Sequence, residues 1–255
     1  MAKLLRYQFR RLFKNKSLYI CTAVSIAIIF LTALATRALT TFLEGSGAPA
    51  EVNVGGFVSL KSGMSAGMFT FLAAIMVAIF VSEDYTQETI KNIYGKGYSR
   101  GQVYLANYIV SLVEVVILFL AECLIGFAAG SALLGGVGSM GENYILSLLG
   151  VLLVVIAYHA IFFGVSISIR KSGGAVALSI IVPVIFDALF MLLDNFLLSK
   201  VENFKLSEYW LSGRLTELTK MDVPIEQFFK TLPMVIIVMA VFIAMSSLIN
   251  KKRQQ

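Results

Sequence analysis

Six stretches of this chain, about 18–41, 64–82, 102–134, 144–169, 173–193 and 231–250, are apolar for roughly the 20 residues that a helix needs to cross hydrocarbon. Lipid offers no partner for a free N–H or C=O, so each such stretch must satisfy its own backbone, and a helix does this. The expected fold class is therefore an all-α polytopic membrane protein with six transmembrane helices. Composition agrees: 14% of the residues are charged, where a soluble domain carries about 25%, and the mean hydropathy is +0.84.

The polar connections set the expected orientation. Lys3, Arg6, Arg10, Arg11, Lys14 and Lys16 precede the first span. Lys91, Lys96 and Arg100 follow the second, Arg170 and Lys171 the fourth, and Lys251, Lys252 and Arg253 the sixth. Cationic residues concentrate on the cytoplasmic side of membrane proteins, so both termini are expected there. The net charge of +6 then reports topology, and no nucleic-acid binding is read from it. Cys21 and Cys123 fall inside spans and read as small apolar packing residues. One histidine in the chain leaves no His/Cys metal cluster to build.

In MAKLLRYQFRRLFKNK, Leu5, Phe9, Leu12 and Phe13 make an apolar row, while Arg6, Arg10 and Lys14 make a basic one. Residues 1–17 are expected to form a cytoplasmic amphipathic helix lying at the lipid interface. A signal peptide cleaved after Ala33-Leu34-Ala35 is the rival, but the apolar run exceeds the usual 7–15 residues or so. Residues 18–250 are the expected six-helix domain, and 251–255 a basic cytoplasmic tail.

Between the second and third spans stands SEDYTQETIKNIYGKGYSR, residues 82–100. Thr86, Ile90, Ile93 and Tyr94 share one helical face, and Gly95 is available as a left-handed terminator. Glu83, Asp84 and Glu88 lie toward the amino end, where the helix dipole favours acids. Ser99-Arg100-Gly101-Gln102 fits a capping box opening the third span. Helix, glycine turn and capped restart specify the backbone throughout. Two readings are open: an interfacial turn whose isoleucines dip into lipid, or a docking element for a cytoplasmic partner.

The stretch EDYTQETIKNIYGKGYSRGQVYLANYI resembles the cytoplasmic segment between the second and third spans of type-2 ABC transporter permeases, the transmembrane subunits of bacterial peptide and drug exporters. Thr89, Ile90, Lys91, Asn92, Gly97, Ser99, Arg100 and Tyr104 match that family's pattern. Glu88 stands where the family usually has glycine, and Asn107 near where lysine is common. The resemblance covers about a tenth of the chain, and it agrees with the six spans and the basic amphipathic start. It implies that segment 83–101 is a coupling helix gripped by a separate ABC ATPase subunit. Ile90, Ile93 and Tyr94 would be apolar contacts, to the ATPase or to the underside of the membrane domain. Glu83, Asp84, Glu88, Lys91 and Arg100 would hold polar register. It further implies a second permease chain, identical or related, no cofactor on this chain, ATP and Mg on the partner, and residence in the bacterial cytoplasmic membrane.

No Walker A pattern occurs, so this chain carries no such phosphate cradle. GGVGSMG, 135–141, matches Gly-x-Gly-x-x-Gly, but it joins two apolar helices with no strand before it and reads as a flexible external turn. No intramembrane-protease signature appears, and catalysis by this chain alone is not expected. In GFAAG, Gly126 and Gly130 allow close helix approach. Glu114, Glu122, Asp187 and His159 fall inside spans, where a carboxylate costs about 2.5–3.5 kcal/mol on insertion scales. The three acids are candidates to line a path for a cationic or amphipathic substrate; the alternative is interhelical hydrogen bonding or a dimer seam. Pro183, one turn before Asp187, frees a carbonyl. Segment 195–230, with Trp210, Leu211, Leu215 and Leu218 at near-helical spacing, reads as extracellular short helices, either a lid or plain interfacial helices. Two rivals to the exporter are an ion-coupled transporter using the buried acids and a membrane anchor for a cytoplasmic partner.

Overall fold

The computed structural model describes residues 1–46, 55–65, 67–169, 171–197 and 205–252. Arg170 and Arg253, counted above among the charges of the connections, lie outside the described residues, as do residues 198–204 of the segment 195–230. The described chain is helical, with no strand, and six of its helices are long and apolar enough to cross a membrane. These are α2 (Lys16–Gly45), α4 (Met68–Thr86), α6 (Arg100–Leu133), α7 (Tyr144–Ser168), α8 (Ser172–Leu197) and α10 (Ile225–Lys252). Four shorter helices accompany them: α1 (Ala2–Leu12), α3 (Gly56–Ser65), α5 (Thr89–Gly95) and α9 (Leu211–Leu218).

Helices α4, α6 and α7 form the centre, and their facing residues are the most buried. Helices α2, α8 and α10 surround them and turn long apolar faces outward, among them Phe30, Phe42, Ile185, Leu189, Ile236 and Val241. Exposed apolar surface on this scale is what a bundle solvated by lipid presents. Helix α10 packs mainly along α7, and near its carboxyl end Ser246 Oγ lies 2.7 Å from the hydroxyl of Tyr104, at the start of α6. The chain's first and last helices thus meet α6 at one end, which also carries Lys91, Lys96, Arg100 and Lys251. This is called the basic end below.

The second span, expected over about 64–82, is α4, which begins at Met68. A short helix, α3, precedes it, and Gly67 between them has a left-handed φ of 71°. Both run antiparallel to α6. Gly56 faces Ser131, Leu60 faces Gly126, and Asp84 reaches Asn107. Helix α3 escapes a hydropathy reading because Ser59, Lys61 and Ser62 interrupt its apolar residues. Lys61 is nonetheless 1% exposed. Its Nζ donates to Lys220 O at 2.7 Å and stands 4.5 Å from the centre of the Tyr144 ring. A carbonyl and an aromatic face are what allow an ammonium to be buried there.

Two glycine segments make this packing possible. Gly126 and Gly130 form the shelf on which α3 lies: a Cβ on Gly130 would come 2.4 Å from Ser59 Cβ, and one on Gly126 3.1 Å from Leu60 Cα. The GGVGSMG turn is not loose. Its Gly136 and Val137 carbonyls accept the Gly56 and Phe57 amides, each at 3.1 Å, and so cap the otherwise unpaired start of α3. Gly135, Gly136 and Gly138 all have positive φ, which glycine adopts without a Cβ clash.

At the end opposite the basic one, α9 is packed into the bundle. Leu211, Leu215 and Leu218 are buried, and Trp210 stacks on Phe186 and Phe190 with ring centres 5.1 and 4.7 Å apart. A helix lying free on the surface is therefore not what this part of segment 195–230 forms.

Gly130→Ala is expected to push α3 off its shelf and cost about 1–3 kcal/mol. Gly101→Ala, where a Cβ meets nothing within 4 Å, is expected to be neutral or to stabilise by about 0.4–1 kcal/mol. Thermal unfolding of the detergent-solubilised protein checks both.

A candidate docking site at the basic end, and the buried acids

The segment between α4 and α6 is anchored by one carboxylate. Helix α4 continues through Thr86, so Thr86 belongs to α4 and not to the face of the short helix. The chain breaks at Gln87 and Glu88, and α5 begins at Thr89. Asp84, in the last turn of α4, is 1% exposed. Its Oδ2 accepts from Gln8 Nε2 of α1 at 3.1 Å and from Asn107 Nδ2 of α6 at 3.4 Å, and it meets Arg11 Nη1 at 2.5 Å. Its Oδ1 accepts from Thr89 Oγ1 of α5 at 3.0 Å. Four helices therefore converge on a single side chain.

Arg11 extends the knot. Its guanidinium donates to Phe80 O and to Gln8 Oε1, lies 4.3 Å from the Phe80 ring centre, and reaches Glu83 at 3.7 Å. The face of α1 that packs inward is Leu4, Gln8 and Leu12, at i, i+4 and i+8, with Leu5 and Phe9 partly covered. Phe13, expected in the apolar row, is exposed. The expected role of Asp84 in partner register is thus corrected: its carboxylate is occupied from within.

The apolar side of α5 is likewise spent inside. Ile90 and Ile93 are buried in a cluster with Leu4, Val103 and Ala106, and Tyr94 packs against its edge. These residues therefore pack against α1 and α6 of the same chain. What α5 turns outward is polar: Glu88, Lys91, Asn92 and Lys96. Glu88 and Lys91 pair at 2.8 Å, both well exposed, and the hydrogen bond from Lys91 holds the Glu88 carboxyl below its ordinary range. Arg100 is exposed one residue beyond the cap of α6.

Two backbone details fix the ends. Glu88 has a φ of 55°, a left-handed conformation that costs a side-chain-bearing residue roughly 1–2 kcal/mol. This is the position at which the resembling segment usually carries glycine. The left-handed residue after α5 is Gly97, with φ 83°, whereas Gly95 is its last helical residue. The expected capping box is formed. Ser99 Oγ accepts from Gln102 N at 3.3 Å, and Gln102 Oε1 accepts from Ser99 N at 3.0 Å.

The three acids expected inside spans do not converge. Glu122 accepts from Ser25 Oγ of α2 and borders a small space of about 20 Å³ that Phe69 and Leu72 of α4 also line. Asp187 accepts from Ser212 Oγ at 2.9 Å and borders a larger space on the other side of α4, with Thr70, Phe71 and Ala74. Helix α4 stands between them, so within one chain they do not line a common path. Glu114 is fully buried, and neither carboxyl oxygen has a hydrogen-bond partner among the described residues. His159 Nε2 lies 2.8 Å from Ser111 Oγ, tying α7 to α6.

Gln8, Arg11, Thr89 and Asn107 went unassigned in the sequence reading. Thr89 and Asn107 entered only through the resembling segment and Arg11 only as a charge before the first span, and Gln8 gave no signal. No protein-family model matches this chain, and no curated protein matches it.

Removing the buried Asp84 carboxylate while leaving Arg11 in place is expected to cost about 3–5 kcal/mol, read by unfolding of Asp84→Ala. Glu83→Ala, at a partly exposed and longer contact, is expected to cost less than about 1 kcal/mol. Glu88→Gly, despite losing an exposed ion pair, is expected to leave stability unchanged or raise it by up to about 1 kcal/mol, whereas Glu88→Val is expected to lower it.

Proposed function

We propose that this chain is the membrane-spanning permease subunit of an ATP-driven exporter. It pairs with a second permease chain in the bacterial cytoplasmic membrane, with the basic end and both termini facing the cytoplasm. The observation that carries this reading is the construction of α5: a short helix tied by Asp84 and Ile90 to the helices above it, with a polar ridge left facing outward. Such an element suits a cleft on a separate ATPase chain, which would bind ATP and Mg.

Concentration of Lys and Arg at the same end supports the orientation, and the fit of α1 beside α5 supports an interfacial position for it. Closure of the ATPase pair would press on α5, and the Asp84 knot would pass that displacement to α1, α4 and α6. Two of these, α4 and α6, belong to the central layer, so a push at the basic end reaches the core and not only the periphery. The cargo would be an amphipathic or peptide-like molecule or a drug.

One observation favours a second reading. Glu114, buried without a partner among the described residues, is the kind of group on which an ion-coupled transporter carries its proton.

The test is purification of the chain from native membranes with its partners, followed by assay of ATP hydrolysis in the purified complex. Wild type is compared with Lys91→Glu, Lys96→Glu, two exposed changes that leave the buried face of α5 intact. The expected result is a co-purifying ATPase that the variant loses while staying folded. Proton-driven transport with no associated ATPase would instead support the second reading.

A further inference from the structure

Between α4, α7, α8 and α9, on the side of α4 away from Glu122, lies a cavity of about 130 Å³. Asp187 lies on its wall, hydrogen-bonded to Ser212 and in no ion pair among the described residues. The lining residues include no Lys, Arg or His. Ser179 and Pro183 lie on the same wall. A proline has no N–H, so the Ser179 carbonyl lacks its helical donor. Phe71, Tyr158 and Phe162 add aromatic surface. The wall therefore offers a carboxylate, hydroxyls and rings, with no cationic side chain among its lining residues to meet them.

We infer that this cavity binds the ammonium head of an amphipathic amine, with Asp187 as its counter-ion. An ammonium brings three N–H donors and one positive charge, which match the carboxylate and the hydroxyl oxygens. Ring faces attract a desolvated cation. Volume bounds the head. A cavity of about 150 Å³ holds benzene, and drug-sized ligands need about 300–1,000 Å³, so the site takes an amine and a short length of its chain, not a whole drug. Phe71 and Val184 line the cavity and are also exposed on the outside of the bundle. The apolar remainder of the ligand would leave between them, into lipid. Pro183, inside α8, and Gly67, the residue before α4, also lie at this cavity.

The inference deepens the export reading by naming the head group of a cargo, yet its test needs only the chain itself. Trp210 is the one tryptophan in the sequence and sits two residues before Ser212, so its fluorescence reports on this cavity. The protein in nanodiscs is titrated with n-hexylammonium and, separately, with neutral 1-hexanol, following Trp210 emission and the unfolding temperature. The expected result is a saturable response to hexylammonium that is weaker by about tenfold or more for hexanol and for Asp187→Asn. Asparagine keeps an oxygen for Ser212, and circular dichroism checks the fold of the variant. If it does not accumulate folded, Val184→Phe on the exposed rim must weaken hexylammonium binding by the same margin. Equal binding of hexanol, equal binding by the variant, or no saturable change in either readout overturns the inference. Failure here leaves ATPase capture through Lys91 and Lys96 intact, and loss of ATPase capture leaves amine binding intact, so the two claims fail separately.

Discussion

The Asp84 carboxylate accepts donors from α1, α5 and α6 while belonging to α4, and the architecture of the basic end depends on that convergence. In an apolar bundle a charge this deeply placed is tolerated only when it is paired and hydrogen-bonded. Satisfying it requires Arg11, Gln8, Thr89 and Asn107 to arrive together. That requirement brings α1 under the bundle, starts α5 directly after the α4 break, and sets the height of α6. The isoleucines of α5 then close against Leu4, Val103 and Ala106. Removing the carboxylate would leave the helices apolar enough to cross a membrane, but without a reason for α1 and α5 to sit where they do.

A second constraint acts at the other end. Helix α3 is too polar and too short to cross alone, and it is held in place by others. Glycines of α6 let it approach, carbonyls of the 135–138 turn cap it, and Lys61 ties it to Lys220, two residues beyond α9. Paired groups of this kind replace the water that an ordinary helix end would use. The outcome is a short helix seated on α6 ahead of the second crossing, with Gly67 beside the cavity that Asp187 borders.

The apolar period of the sequence made the six long helices legible, and local chemistry made the Ser99–Gln102 cap legible, because both signals are contained within a few turns. What escaped depends on distant residues. Nothing near Asp84 announces Arg11 or Gln8, more than 70 positions earlier, so an inward carboxylate was read as an outward one. Burial of Lys61 depends on Tyr144 and Lys220, neither of which is nearby in the chain, so nothing local announces it. Whether the acids line a path or bond between helices was open from their positions alone, because the placement of α4 between Glu122 and Asp187 is a fact of packing. Glu88 is the intermediate case: its departure from the resembling pattern was visible, but the left-handed backbone that explains a glycine there was not.

The central claim is that Asp84 holds α5 as a rigid element under the bundle, and hydrogen–deuterium exchange tests it most directly. Amides of residues 89–95 are followed in the intact protein and in Asp84→Asn, at a temperature where both are folded. The account predicts faster exchange in the variant across α5, and across α1, which shares the same carboxylate, with α7 and α10 unchanged. Exchange in α5 that is equally slow in both proteins would contradict it.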